Sequence, residues 1–199
     1  AFVAAAAVSL SRVVALHRYY GAPMTMYRHL PHSVAVSDAG QPIATVCVGA
    51  EWHRFPSSFF FPDSSYRIGF LESGFHGLLP SYFRDDLGGT ASAPAYLNDR
   101  NEENTGAYTK LESCHFVMEL RKEAPAVVSK GIQEGRLAGP EVSTAAGSSQ
   151  WSWEPVATLP FLDAERSPSL TRALYLPFLS PRHNTFGTYI LWGRAAALP

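Results

Sequence analysis

The segment Glu51-Trp52-His53-Arg54-Phe55-Pro56-Ser57-Ser58 gathers an acid, an arginine, an imidazole and two aromatic rings in one short stretch. Such a set suits carbohydrate or lipid phosphate. An aromatic face stacks on the C–H face of a sugar, while arginine and carboxylate together bond hydroxyls or a phosphate. Glu51, Trp52, Arg54 and Phe55 are therefore the candidate substrate-binding residues. The same pattern also fits a structural role, with Trp52 and Phe55 in a core and Glu51 ion-paired to Arg54.

Other chemistry finds less support. The chain has no Gly-x-Gly-x-x-Gly, Walker loop, His-Glu-x-x-His or Gly-x-Ser-x-Gly elbow. Its seven histidines are scattered, and the close pair His29 and His32 has no third ligand nearby, so no metal site is expected. Asp85 with Asp86 and Glu102 with Glu103 fall in polar stretches, where adjacent acids are solvated. Asp63 and Asp163 stand beside turn signals, where a lone carboxylate commonly caps a backbone N–H. No catalytic residue is assigned.

The elements that would carry the cluster can be read from periodicity. Ile43 to Val48 is a β-branched run ending at Gly49, apolar on both faces, and predicts a central strand. A turn-like segment, Glu51 to Ser58, follows it. Tyr66 to Leu71 and Cys114 to Arg121 alternate apolar and polar residues and predict two more strands. Ser81 to Lys110, rich in Asn, Asp, Glu and Gly, predicts a surface loop. Trp151 to Phe161 predicts an aromatic strand, and Phe186 to Trp192 a closing one. Ser167 and Pro168 predict the cap and first-turn proline of a short helix to about Leu176. Residues 122–150 turn to Ala, Gly, Ser, Pro and Glu without a period, the composition of a flexible insertion. The fold class is thus α+β: a small β-rich domain over residues 42–199 with short helices.

In front of it, residues 1–20 open on an apolar run, Phe2 to Leu16, interrupted by Ser9, Ser11 and Arg12. The run is shorter than the roughly 20 residues that cross a bilayer. It is either the exit half of a membrane helix, with Arg12, His17 and Arg18 reaching head groups and Tyr19 and Tyr20 at the interface, or an amphipathic helix buried in a soluble domain. Ala1 in place of Met, with no basic segment before the apolar run, reads as the continuation of a longer polypeptide. Gly21, Pro23, Pro31 and Pro42 then predict a loop-rich connector over residues 21–41. Of 199 residues, 46% are hydrophobic and 17% charged, with a net charge of −1. That composition buries one core and supplies no basic field for nucleic acid. Cys47 and Cys114 are either bridged across neighbouring strands or two buried thiols.

Val46-Cys47-Val48-Gly49, Glu51-Trp52 and Arg54-Phe55-Pro56-Ser57-Ser58-Phe59 resemble the lumenal C-terminal region of the dolichyl-phosphate-mannose-dependent α-1,2-mannosyltransferases of asparagine-linked glycosylation. Phe75, Gly77, Leu79-Pro80, Asn98-Asp99, Cys114-His115, Pro160 to Ala164 with Arg166-Ser167, and Leu176 to Ser180 agree in the same order. His53 stands where the family has a tyrosine. The resemblance implies an enzyme of the endoplasmic reticulum membrane that moves mannose from dolichyl-phosphate mannose to a lipid-linked oligosaccharide on the lumenal side. It implies no cofactor, and a general base in an early lumenal loop outside this chain. It also implies that residues 1–20 end the last membrane helix, that the β-rich domain is lumenal, and that Cys47 and Cys114 lie where a disulfide persists. Two readings compete with it: a non-catalytic lumenal module that binds carbohydrate or a partner, and a soluble secreted β-domain.

Overall fold

The computed structural model describes residues 2–32, 44–51, 53–54, 58–74, 76–80, 88, 96–122 and 153–194. The order of elements is α1 (Phe2–Tyr20), α2 (Ala22–Thr25), a 3-10 turn (Met26–His29), β1 (Ala44–Val48), β2 (Tyr66–Phe70), β3 (Phe116–Arg121), β4 (Trp153–Leu162), α3 (Ser169–Ala173), α4 (Ser180–His183) and β5 (Phe186–Arg194), with further 3-10 turns in the connections. The architecture is mixed α and β, built on one five-stranded sheet in the order β2-β1-β3-β5-β4. β1 runs parallel to β2 and β3, whereas β5 is antiparallel to β3 and β4. β1 is flanked on both sides and wholly buried, as its two apolar faces require.

Alternation divides the strands between two cores. Val46, Val48, Phe116, Met118, Leu120, Phe161, Tyr189 and Leu191 share one face, against which Ala22, Met26, Tyr27 and Leu30 pack. Cys47, Val117, Ile190 and Trp192 share the other face with Leu71, Leu111 and Cys114. Burial of each large apolar side chain contributes about 1.5–3 kcal/mol, so the sheet with its covering helical turn is the centre of stability.

The second face is pinned by Cys47 and Cys114, which form a disulfide with Cα atoms 5.8 Å apart. Gly69, opposite Cys47 in β2, makes room for it: a Cβ there would lie 2.8 Å from Thr109 Oγ1 and 3.0 Å from Cys47 Sγ. His115, next to the bridge, exchanges two bonds with β1. Thr45 N donates to His115 Nδ1 at 3.1 Å, and His115 N donates to Thr45 O at 2.9 Å. Burial first, then the nearby Arg194 and Arg67 charges, lowers the His115 pKa from 6.5. A neutral imidazole is what an acceptor Nδ1 requires.

The lowered value has a pH consequence. Above 6.5 the imidazole is neutral in both folded and unfolded chains; below 6.5 the unfolded chain takes up the proton first. Stability supplied by this site is therefore expected to fall as pH drops from 6.5 toward the folded-state value. Urea midpoints measured from about pH 7.5 to about pH 5 should show the decline, and His115→Asn, which keeps an acceptor oxygen without a titrating ring, should flatten it. An equal slope in both proteins would exclude His115 as the cause.

Several local expectations are revised. Residues 22–29 of the proline-marked connector are helical, and Met26, Tyr27 and Leu30 there are core residues. Pro23 sits at the first helical turn, where its missing N–H costs nothing, so it starts α2 instead of breaking structure. The N-cap position of α3 is Pro168, and the helix ends at Ala173, short of Leu176. Ser167 is occupied elsewhere: its Oγ donates to Thr185 O and accepts from Thr185 N, tying the helix approach to β5. Asp63 and Asp163 do cap backbone, the first accepting from Ser65 N at 2.8 Å and the second from Glu165 N at 3.1 Å. The Ser65 hydroxyl and N–H hold the Asp63 carboxyl below its ordinary pKa. Ile43 of the first strand, residues 81–87 of the long polar stretch and residues 123–150 of the insertion lie outside the described residues.

α1 is mostly uncovered. Ala15 and Tyr19 are its buried residues, while Phe2, Val3, Val8, Leu10, Val13 and Leu16 are each more than half exposed. It is therefore not the buried amphipathic helix of the second reading. Tyr19 and Tyr20 do not stand free as an interfacial belt either: the Tyr19 ring packs on Tyr175 and Phe186, and Tyr20 meets Phe161 edge-on. Ser11 exchanges two bonds with the Tyr175 backbone, and Arg18 covers the Tyr175 ring at 4.7 Å. Among the described residues no helix is long and apolar enough to cross a membrane.

Candidate functional site

The turn after β1 places Glu51 and Arg54 together. Arg54 N donates to Glu51 O at 2.8 Å, closing the turn, and the two side chains form an ion pair three residues apart. They are 11% and 27% exposed, Glu51 being the more buried partner. Arg54 also lies over the Phe161 ring at 4.6 Å from its centroid. Phe161 in turn meets Tyr20 edge-on at 5.5 Å and Tyr189 at 6.0 Å. The guanidinium thus bridges a carboxylate and an aromatic stack contributed by α1, β4 and β5.

Electrostatics follow from this enclosure. Burial, and secondarily the Glu51 carboxylate and Tyr27, push the Tyr189 hydroxyl pKa far upward, so it stays protonated. Burial also raises Tyr66 to about 12, and its hydroxyl donates to Pro31 O at 2.5 Å. Neither phenol is set up to take a proton at neutral pH.

Of the four candidate substrate-binding residues, Glu51 and Arg54 are brought together, while Trp52 and Phe55 lie outside the described residues. The neighbours that make the pair a site, Phe161, Tyr20 and Tyr189, were not assigned to it from sequence. Phe161 and Tyr189 fall in strand-like runs and Tyr20 reads as an interfacial residue, and nothing in either reading says which turn they meet. Engaged by Glu51 and Phe161, the Arg54 side chain is nevertheless partly exposed.

Other carboxylates are engaged structurally. Glu103 accepts from the Tyr108 hydroxyl at 2.5 Å and meets His76 Nδ1 at 3.3 Å, contacts that hold its pKa below the ordinary value. Glu102 pairs with Arg100 at 3.6 Å. Among the described residues no group of three or more His, Cys, Asp or Glu is placed to hold a metal ion. Asp85 and Asp86 lie outside them.

A second feature is a cleft between α1 and α3, about 410 Å³ in volume, lined by Arg12, Leu16, Tyr20, Arg172 and Ala173. Arg12, Leu16 and Tyr20 recur every fourth residue and so form one stripe of α1. Arg172 Nη1 donates to Ala164 O, which orients its guanidinium.

Comparison with known proteins adds the remaining observation. The Alg9-like mannosyltransferase family matches residues 1–62. An Arabidopsis thaliana protein named alpha-1,2-mannosyltransferase ALG9 is 38% identical over 183 residues, 92% of this chain and 28% of its own length. Relatives of the same name are 35% identical in Drosophila melanogaster, over 94% of this chain, and 35% in Homo sapiens, over 92%. The chain spans about 28% of the length of each of these three relatives. No solved structure matches.

Proposed function

Because the chain belongs to the Alg9-like mannosyltransferase family, we propose that it is the C-terminal part of an α-1,2-mannosyltransferase of the endoplasmic reticulum. That enzyme transfers mannose from dolichyl-phosphate mannose to the lipid-linked oligosaccharide precursor of N-glycans. The observation that carries this reading is continuous similarity over 92–94% of the chain to relatives bearing that enzyme name. No cofactor is required by the reading.

In the proposed reaction the acceptor hydroxyl gives its proton to a general base, its oxygen bonds to the anomeric carbon of mannose, and dolichyl phosphate leaves. The base is assigned to a part of the enzyme outside this chain. Glu51, which lies in the candidate cluster, is committed to Arg54, and Asp163 to backbone N–H groups. The role of this part is to shape the acceptor side. Glu51 and Trp52 with Arg54 and Phe55 are the proposed sugar-contacting segment, Arg54 being partly exposed.

Residues 1–20 are proposed as the end of a membrane helix, 21–41 as the connector, and 42–199 as the lumenal domain with its insertion at about 122–150. What supports this is the run Phe2 to Leu10, exposed throughout and uncharged, followed by Arg12, His17 and Arg18 near the point where α1 docks on the sheet. A buried disulfide suits a lumenal compartment.

The test is mannosyl transfer in microsomes expressing the full-length protein. Deleting Ile43 to Trp192 is expected to abolish transfer to the lipid-linked acceptor while the protein remains detectable. Unchanged transfer at normal protein level would remove the functional assignment.

A further inference from the structure

The cleft between α1 and α3 has a composition that mannosyl transfer does not account for. α1, α3 and α4 together carry Arg12, His17, Arg18, Arg172, Arg182 and His183, and not one acidic residue. The nearest acids in sequence are already used: Asp163 accepts backbone N–H groups, and Glu165 pairs with Lys122 at 3.6 Å. Arg12 is exposed and has no hydrogen-bond or ion-pair partner among the described residues. Arg172 faces it across the cleft with one nitrogen bonded to Ala164 O and the others available. Two guanidinium groups converging on one opening form a fork for a phosphate, the anion that arginine bonds through paired N–H groups.

Leu16 lines the cleft, and the elements that form it expose further apolar side chains. Leu16 and Val13 on α1 are 52% and 60% exposed, and Leu170 on α3 is 62% exposed. The connection between α3 and α4 adds Phe178, 80% exposed and held at φ 70°, a backbone conformation in which a non-glycine aromatic is uncommon. Water offers no compensation for displaying these side chains, whereas acyl chains do. Basic groups at head-group level beside exposed aromatic and aliphatic side chains are the two signals that together hold a surface on a bilayer.

We propose that Arg12 and Arg172 clasp the phosphate of an anionic bilayer phospholipid in the α1–α3 cleft, with Leu16, Leu170 and Phe178 against its acyl region, so that the domain is seated on the membrane. The proposal commits to a structural phospholipid over the mannose donor, which offers the same phosphate; stronger stabilisation by dolichyl phosphate than by phosphatidylserine would overturn it. The inference rests on the reading of α1 as the end of a membrane helix, and it makes no use of transfer activity.

The experiment uses the full-length protein in detergent micelles, with phosphatidylserine or phosphatidylcholine titrated in and thermal unfolding as the readout. Phosphatidylserine is expected to raise the unfolding midpoint of the unmodified protein, and phosphatidylcholine to raise it much less. Arg12→Glu removes a partnerless exposed side chain and should not disturb folding; with Arg172→Gln added, the apparent affinity for phosphatidylserine is expected to fall about 30-fold. The charge-matched control Arg28→Glu with Arg100→Gln should leave it near the original value. Equal phosphatidylserine affinity in the unmodified and Arg12→Glu proteins would overturn the proposal. So would stabilisation by inorganic phosphate alone at the same concentration, since that marks a free-anion site. Unmodified protein that transfers mannose yet gains no stability from phosphatidylserine marks failure of this proposal alone, whereas phosphatidylserine stabilisation without transfer marks failure of the enzymatic reading alone.

Discussion

Cys47→Ala combined with Cys114→Ala is expected to lower the stability of the β-rich domain by about 2–5 kcal/mol. The bridge spans 67 residues of sequence and ties the middle of β1 to the entry of β3, the two strands on which the parallel part of the sheet depends. Removing it releases a long loop in the unfolded chain, so much of the cost lies there. The remainder arises in the folded state, because both cysteines are fully buried and packed with Leu71, Leu111, Val117 and Trp192. Cleavage of the full-length protein by a brief protease pulse across a urea series would measure the shift. An unchanged midpoint would show that the bridge does not support the domain. The same burial predicts that a reductant acts on native protein only slowly, and readily once urea has opened the sheet.

Arg54→Ala is expected to cost roughly 2 kcal/mol, by leaving Glu51 without its partner and removing the cation over Phe161. The exposure of Arg54 keeps this below the cost of breaking a fully buried pair. Combining Glu51→Gln with Arg54→Met should recover part of the loss, since neither side chain then carries an uncompensated charge. Arg54→Lys keeps the charge and loses the planar stack, so its stability should fall between the two. In the proposed transfer reaction, the folded fraction of Arg54→Lys is expected to show a raised KM for the oligosaccharide acceptor with kcat little changed, the mark of a lost binding contact. A KM equal to that of the original enzyme would leave the cluster as a structural clamp alone.

These two substitutions separate readings that residue types could not. The residues of the Glu51 to Ser58 segment suit a sugar contact and a core ion pair equally, because both need an acid, a base and aromatic surface. The structure supplies the pairing of Glu51 with Arg54 and a stack on Phe161, yet leaves Arg54 partly exposed. A structural role and the proposed binding role therefore meet at one side chain, and the stability and KM readouts separate them.

Local chemistry was readable where a residue acts on its own neighbours. Alternation marked β2 and β3, and aromatic and β-prone composition marked β4 and β5, to within a few residues at either end. Asp63 and Asp163 were readable as caps because their partners lie two or three residues on. Proline misled at residue 23, where a ring that breaks a helix interior instead starts one, and at residue 168 it stands one place earlier, as the cap itself.

Residue order alone determined which runs form strands, where the carboxylate-capped turns fall and which family the chain resembles. Tertiary structure decided which strand neighbours which: β1 between β2 and β3, Phe161 beneath Arg54, Arg172 facing Arg12 across a cleft. The reason is physical. A period reports the face a residue shows to an apolar environment, and many strand orders satisfy the same set of faces. Choosing among them depends on contacts between residues far apart in the chain, whose energies exist only once the sheet has closed.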